Sequence, residues 1–137
     1  MDVENAVYPT QSRVEELMAD SSGGPVVMLN LLKFRTKAAY PDGRASDLTG
    51  RQAYDLYGAP MKKVIENGGG RVLFGGAIAS LVIGEVDDLW DTCLLVEYTS
   101  AAAFAAIVTS PEVAEIGVHR AAGLEGQLLI RVTQLAL

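Results

Sequence analysis

The sequence predicts an α+β domain in which a four-stranded sheet has helices on one face and a second copy of the chain on the other. Three observations support this prediction. Segments with strand and helix patterns follow one another in the order strand, helix, strand, strand, helix, strand. The first strand pattern, VVMLNLLKFR, is apolar at both alternating sets of positions, so both of its faces need cover. The 137 residues are enough for one domain with a single core.

Residues 1–24 are predicted to form a helix and a linker, ahead of one globular domain over residues 25–137. Ser12 and Glu15 have the spacing of a capping box, and a narrow apolar stripe runs along Thr10–Ala19. The segment SSGGP then breaks the chain before the first strand. We therefore expect this helix to pack on the main fold as an appendage.

The first strand, Val26–Arg35, contains the amide of Asn30 among aliphatic residues. An amide in a buried strand needs partners, since leaving its polar groups unpaired costs about 1–3 kcal/mol. Asn30 therefore either bonds to a neighbouring part of the chain or offers a polar group to a ligand. The polar segment Thr36–Gly50 follows, and a loop of this length is either a mobile surface loop or a lid or binding loop.

The second helix is indicated by apolar residues at helical spacing from Ala53 to Ile65, and the NGGG segment ends it. Pro60 within this pattern predicts a kink or a restart near Gly58. A long second strand, Arg71–Gly84, then contains the paired glycines Gly75-Gly76, which suggest a bulge, a bend or the close approach of another group to the backbone.

The second half of the chain repeats the order of the first half. A third strand, Thr92–Tyr98, follows an acidic turn, and Ser100 and Ser110 begin two helical pieces, with proline at the first position of the latter. The last strand lies within residues 123–134. This order is that of the split β-α-β, ferredoxin-like fold, in which helices cover one face of the sheet only.

The uncovered face of that sheet is the basis for predicting a homodimer. The face is apolar along the first strand, and a patch of that size is unusual on a soluble monomer. The same face of a second copy covers it most simply, and the result is a two-fold dimer.

Composition and charge exclude several classes of partner. The net charge of −6 and the lack of any Lys and Arg patch argue against nucleic acid and against an anionic membrane. Cys93 is the only cysteine, which excludes an internal disulfide and a cysteine-based metal cluster. The longest apolar runs are too short to span a bilayer, and the acidic N-terminal segment lacks the features of a secretory signal. We therefore expect a cytoplasmic protein.

Several ordered motifs also resemble one family. These are VVMLNLLKF, the pair Tyr54 and Tyr57, NGGGRVLFGG, LWD ahead of a strand ending in VEYTS, SPE and HRAAGL. Together they resemble the family called domain of unknown function 1330, over roughly Val26 to Arg131. The resemblance implies a ferredoxin-like subunit and a dimeric α/β barrel, in which two subunits pack sheet against sheet. It implies no activity.

His119 and Asp91 are the candidate catalytic residues. His119 is the only histidine, and histidine in general titrates near neutrality, which suits a general base. The alternative is a solvated histidine beside Glu115 at a helix end, and two possible ligands without a third do not predict a metal. Asp91 follows Trp90 at the entrance of a strand, where the pair forms either the wall of a cleft or a hydrophobic plug with a turn.

Five residues are candidate ligand-binding groups: Asn30, Tyr54, Tyr57, Trp90 and Glu97. The tyrosines are expected to face the core with their hydroxyls at a polar rim. Glu97 either pairs with Arg71 or Arg131, or lies in a pocket that favours its protonated form.

Two functions remain open. The glycine segments lack the strand-loop-helix order of dinucleotide and P-loop sites, and no cofactor is predicted. The sequence has neither a Gly-x-Ser-x-Gly motif nor a His-x-x-x-His pair, which excludes two large hydrolase classes. One function is a cofactor-independent enzyme of oxygenase or isomerase type, acting on a small organic molecule. The other is a non-catalytic dimer that binds or senses a small molecule. An enzyme site should combine a pocket with a titratable group that reaches into it, whereas an apolar pocket with Asn30 alone favours binding.

Overall fold

The computed structural model describes all 137 residues and contains one four-stranded antiparallel sheet with four helices. The elements are α1 Gln11–Ala19, β1 Val26–Phe34, α2 Gly50–Asn67, β2 Arg71–Ala77, β3 Thr92–Tyr98, α3 Ala101–Val108, α4 Pro111–Gly123 and β4 Leu124–Val132. The strands lie in the order β2-β3-β1-β4 and every neighbouring pair is antiparallel. The chain is therefore α+β with the ferredoxin-like topology, as predicted. Its sheet is open and is not closed into a barrel.

The two faces of the sheet differ in what covers them. Val26 and Met28 on β1 pack with Val96 and Tyr98 on β3, beneath the helices. The helices contribute the other members of this nine-residue buried core, which are Met61, Ile65, Ala101, Phe104 and Val113. The alternate residues of each strand face away from the helices.

We call this second surface the open face, because no element of the chain covers it. It is centred on Leu29, which lies between Leu95 of β3 and Ile130 of β4. Its other apolar members include Val27, Leu31 and Val132.

β2 is shorter than the sequence predicts. It ends at Ala77, although the predicted strand extends to Gly84. The reason is its partner: β2 is an edge strand, and β3 offers it only seven residues, Thr92–Tyr98. Beyond that length the backbone has no neighbour to bond to, and the side chains of Val82 and Ile83 are 89% and 90% exposed. The register shifts between Val72 and Phe74, ahead of the paired glycines, and Gly75 and Gly76 themselves pair regularly with β3. Side chains approach both glycines closely, since a Cβ at Gly75 would lie 2.9 Å from Leu94 and one at Gly76 3.0 Å from the Phe74 ring.

α2 is continuous over 18 residues, and the restart expected near Gly58 does not occur. Proline at position 60 removes one helical hydrogen bond, to a carbonyl of the preceding turn. Buried residues on both sides of it, Ala53 and Met61 among them, pack against the rest of the core and hold both halves in one helix. Thr49 and Gln52 form a full capping box at its start.

α3 and α4 begin as their sequences predict. The Ser100 and Ser110 side chains accept from the backbone N–H groups of Ala103 and Val113, and Pro111 occupies the first turn of α4. The two helices meet at an angle of 73°. Taken one at a time, the helices fall short of the length and apolar character that a membrane span needs; α3 and α4 meet both requirements only when they are counted together.

The N-terminal residues are joined to β4. The backbones of Ala6 and Gln127 exchange two hydrogen bonds, of 3.2 and 2.9 Å, so that the segment before α1 runs beside the first half of β4. After α1, the carboxylate of Asp20 accepts from Ser22 and pairs with Arg131. Hydrogen bonds from Ser22, and then from Arg131, lower the pKa of Asp20 to about 2 and keep it charged at neutral pH. α1 is thereby connected to the sheet edge at both of its ends.

Candidate functional site

A cavity of about 1030 Å³ lies between the helix-covered face of the sheet and the helices. Its lining is mostly apolar and includes residues of the N-terminal segment and of α1, such as Tyr8 and Leu17. The N-terminal residues, expected as an appendage, thus form part of the cavity wall. Several of its polar and aromatic side chains meet from four different elements, among them Asn30, Tyr54, Tyr57, Arg120 and Gln127.

Three of these side chains form a continuous hydrogen-bonded chain. The Asn30 Nδ2 donates to the carbonyl of Met28 at 3.2 Å, and its Oδ1 accepts from Gln127 Nε2 at 2.8 Å. Gln127 Oε1 in turn accepts from Arg120 Nη2 at 2.6 Å. The two amides are thereby fixed in orientation, and they hold the guanidinium of Arg120 at the cavity wall. Asn30 bonds to its own chain and lies at the cavity at the same time.

Tyr54 and Tyr57 follow one another along the cavity side of α2. The rings of Phe34 and Tyr54 are 5.4 Å apart and those of Tyr54 and Tyr57 5.5 Å apart, so the three form an aromatic wall. Burial raises the pKa of both tyrosines, and the nearby charge of Arg120 opposes that effect. Both hydroxyls therefore remain protonated at neutral pH, where they can donate hydrogen bonds.

Thr92 adds a further polar group to the lining. The residue is only 8% exposed, and its Oγ1 is the one buried side-chain oxygen or nitrogen without a hydrogen-bond partner. Thr92 lies opposite Leu32 in the sheet, on the side that faces the helices. A buried hydroxyl without a partner is uncommon in proteins and calls for an explanation.

His119 lies outside the cavity lining. Its Nδ1 is 2.7 Å from the hydroxyl of Tyr40, and the two rings meet edge to face. Tyr40 is buried and belongs to the loop 36–49, which also bonds through Ala39 N–H to the carbonyl of Ala122 at 2.9 Å. His119 thus holds this loop against α4. The loop packs on α4 instead of covering the cavity.

Asp91 and Trp90 are also outside the lining and connect separate segments. Asp91 Oδ2 accepts from the backbone N–H of Phe34 at 2.8 Å, and its other oxygen is 3.6 Å from Lys33 Nζ. The Trp90 indole donates to Asn5 Oδ1 at 2.8 Å. Both residues therefore fix the ends of neighbouring elements, and the structure does not bring them together with Asn30, Tyr54 and Tyr57.

Glu97 projects from the open face, away from the cavity. Its Oε1 accepts from Arg71 Nε at 3.1 Å, which is the paired alternative, with Arg71 as the partner. Arg131, the other candidate, pairs with Asp20. Nowhere in the chain do three His, Cys, Asp or Glu side chains gather in a way that could hold a metal ion.

Sequence reasoning missed three residues of this site: Arg120, Gln127 and Thr92. Gln127 carried a usable signal, because it places an amide within the apolar strand LEGQLLIRV, as Asn30 does within β1. Arg120 directly follows His119, and of these two residue types histidine is the one that suggests a reactive site. Nothing in the sequence marks Thr92, since threonine is common in strands.

Replacing Asn30 by leucine is expected to lower the free energy of unfolding by about 1–3 kcal/mol, because Gln127 then loses the acceptor of its buried Nε2 group. Leucine is close to asparagine in size, so packing changes little. Urea unfolding of the variant beside the parent measures the loss. An unchanged unfolding midpoint for Asn30→Leu would contradict the structural role.

Comparisons with known proteins agree with this fold. The model of a family described as Domain of unknown function (DUF1330) matches residues 39–133. The crystal structure of a protein of unknown function from Rhodopseudomonas palustris, a structural genomics target, is 36% identical, with a TM-score of 0.87 over 98% of this chain and 100% of that chain. The methylated form of that protein is 38% identical, with a TM-score of 0.87 over 96% of each chain.

Two further comparisons find lower similarity or none. A dimeric protein of unknown function with a ferredoxin-like fold, from Bacteroides fragilis NCTC 9343, is 16% identical, with a TM-score of 0.45 over 80% of this chain and 95% of that chain. No curated protein is similar in sequence to this chain.

Proposed function

The chain belongs to the family described as Domain of unknown function (DUF1330), and we propose that it binds a small organic molecule in the cavity between its sheet and its helices. One observation carries the proposal: the hydrogen-bonded chain from Asn30 through Gln127 ends at Arg120 in the wall of an otherwise mostly apolar cavity of about 1030 Å³. Ligand pockets combine an apolar lining with a few oriented polar groups, and they typically enclose about 300–1,000 Å³.

The titratable groups that line the cavity favour binding over catalysis. His119 bonds to Tyr40 and Asp91 bonds to the backbone of Phe34, so neither candidate base belongs to the lining. The carboxylates that do line the cavity, Glu4, Glu16 and Asp55, are exposed to solvent. A general base is most effective when its pKa is near the working pH and it reaches the substrate. The arrangement supports a binding or sensing protein ahead of a cofactor-independent oxygenase or isomerase.

We also propose that the chain forms a homodimer through the open face. Leu29 and its neighbours Leu95 and Ile130 make the centre of this face apolar, and Ile130 is 43% exposed. The nearby charges of Lys33 and Glu97 pair within the chain, with Asp88 and Arg71 respectively. An apolar centre with internally paired charges around it suits contact with an identical surface, because a two-fold interface places the same patch of both subunits face to face.

The cavity proposal is tested with N-phenyl-1-naphthylamine, a neutral dye whose fluorescence rises in an apolar site. The parent protein is expected to bind it saturably. Gly117→Leu is expected to abolish binding and to leave the unfolding midpoint at or above the parent's. Gly117 lines the cavity and nothing lies within 4 Å of a Cβ built there, so a larger side chain enters the cavity without a clash.

Gly24→Leu is the matched control, because Gly24 is equally unhindered but lies in the linker before β1, outside the lining. This variant should bind the dye as the parent does. Absence of saturable binding to the parent, or equal binding to Gly117→Leu, would count against the proposal.

A further inference from the structure

Arg120 lines the cavity, and its guanidinium has no carboxylate partner in the chain. The chain contains seven ion pairs, and none of them includes Arg120. Of the three other cavity arginines, Arg51 and Arg131 pair with Asp55 and Asp20, and Arg13 is exposed to solvent. The guanidinium has five N–H groups, and Gln127 accepts a hydrogen bond from one nitrogen, Nη2. Its position is therefore fixed, while most of its donors remain available.

Neutral hydroxyl donors lie in the same cavity. Tyr54 and Tyr57 line the same cavity as Arg120, so the two phenols and the guanidinium border one space. Neither hydroxyl bonds to another group of the chain; Tyr40 alone among the tyrosines does so through its hydroxyl. Thr92 also lines the cavity, and its buried Oγ1 has no hydrogen-bond partner in the chain.

We propose that the cavity ligand is an organic monoanion whose carboxylate is bound by Arg120 and the hydroxyls of Tyr54 and Tyr57, with an apolar body among the aromatic side chains. This inference rests on the proposed function and names its ligand class. A planar guanidinium matches a carboxylate with two parallel hydrogen bonds. One cation flanked by neutral donors balances a single negative charge, whereas a phosphate dianion needs more positive charge than this site has.

The contact of Arg120 with Tyr8 does not replace that ligand. The guanidinium carbon lies 5.9 Å from the centre of the Tyr8 ring, and Tyr8 is 67% exposed. A ring face attracts the cation but accepts none of its N–H groups in the directional way that a carboxylate does. The remaining donors of Arg120 therefore still lack an acceptor from the chain.

Displacement of the bound dye by two isosteric competitors tests the inference. Naphthalene-2-carboxylate is expected to compete at least about tenfold more tightly than naphthalene-2-carboxamide, because only the former is an anion that Arg120 can hold with two hydrogen bonds. Arg120→Met keeps most of the apolar stem and removes the charge, and it should abolish this preference while leaving carboxamide binding within about twofold of the parent's.

Arg13→Met is the matched control, since Arg13 also lines the cavity and the change alters the net charge equally. It should retain the preference for the carboxylate, because Arg13 is exposed to solvent, where charge contributes little. The double variant Tyr54→Phe/Tyr57→Phe removes both hydroxyls without changing the rings. It should weaken carboxylate binding several-fold and leave dye binding intact. This variant therefore tests the anion site even if Arg120→Met does not fold.

The outcomes separate this inference from the function it rests on. Equal affinity for the carboxylate and the carboxamide, with the dye still bound, overturns the anion site and keeps the cavity. Inorganic phosphate that displaces the dye, or that competes with the carboxylate at lower concentration, also overturns it, because the ligand would then be a free phosphate. If the parent protein does not bind the dye, the proposed function itself is contradicted.

Discussion

Substituting alanine for Gly123 is expected to lower the free energy of unfolding by about 3 kcal/mol or more, which corresponds to a drop in midpoint on the order of 10 °C for a domain of this size. A Cβ at this position would overlap the carbonyl oxygen of Gly50 and would lie 2.8 Å from the backbone nitrogen of Tyr54. Both obstacles are backbone atoms, so α2 and α4 would have to move apart to make room. The interior transmits such a shift because it is close-packed.

The same junction includes the end of β1, which makes the strain difficult to relieve. Arg35 N–H donates to the carbonyl of Gly123 at 2.8 Å, and Gly50 N–H donates to the carbonyl of Arg35 at 3.1 Å. Moving α4 away from α2 therefore stretches hydrogen bonds that connect three elements. Gly50→Ala is expected to behave like Gly123→Ala, since its Cβ would meet Gly123 O at 2.7 Å and the backbone of Arg35 more closely still.

Glycines of the same helices serve as controls. Gly117→Ala in α4 and Gly58→Ala in α2 meet nothing closer than 3.9 Å, and a glycine in a helix interior costs about 0.5–1 kcal/mol relative to alanine. Both controls should therefore keep or raise the midpoint. Thermal and urea unfolding of the four variants measures the contrast, and a Gly123→Ala protein as stable as Gly117→Ala would show that this junction is not close-packed in solution.

Replacing Leu29 by aspartate is expected to convert the proposed dimer into monomers at micromolar concentration. Leu29 is at the centre of the open face, between Leu95 and Ile130, so the two-fold contact would bury two new carboxylates without partners. Burying an unpaired ion costs several kcal/mol, and at about 1.4 kcal/mol per factor of ten the dissociation constant should rise on the order of a thousandfold or more. Light scattering and sedimentation report the mass directly.

Leu56→Asp provides the matched comparison, because Leu56 is 49% exposed on α2 and lies outside the open face. This variant carries the same change in charge and should remain dimeric. Circular dichroism should show that Leu29→Asp stays folded, since in the monomer its side chain reaches solvent. A parent protein that is monomeric at micromolar concentration, or a Leu29→Asp protein that stays dimeric, would contradict the use of this face.

The sequence alone determined the elements of the fold and their order, because the signals for them are local. The caps at Ser100 and Ser110 accept from backbone groups three residues on, and alternation along β1 shows that both of its faces are apolar. The capping box predicted from Ser12 and Glu15 was wrong, because Thr10 caps α1 and accepts from the backbone N–H of Arg13. Once the order is known, few topologies remain, and the ferredoxin-like one follows. The predicted length of β2 was wrong, because the strand extends only as far as the seven residues of β3 with which it pairs.

Only the tertiary structure decided which chemical groups share a cavity. Asn30 and Gln127 are 97 positions apart in the sequence and bond at 2.8 Å, because β4 lies beside β1 in one particular register. The same register and the packing of α4 hold Arg120 at the cavity, while its neighbour His119 faces the loop and bonds to Tyr40. On a helix, consecutive side chains point about 100° apart, so adjacent residues belong to different surroundings. Residue type alone marks His119 as reactive, but only packing decides which of the two side chains meets a ligand.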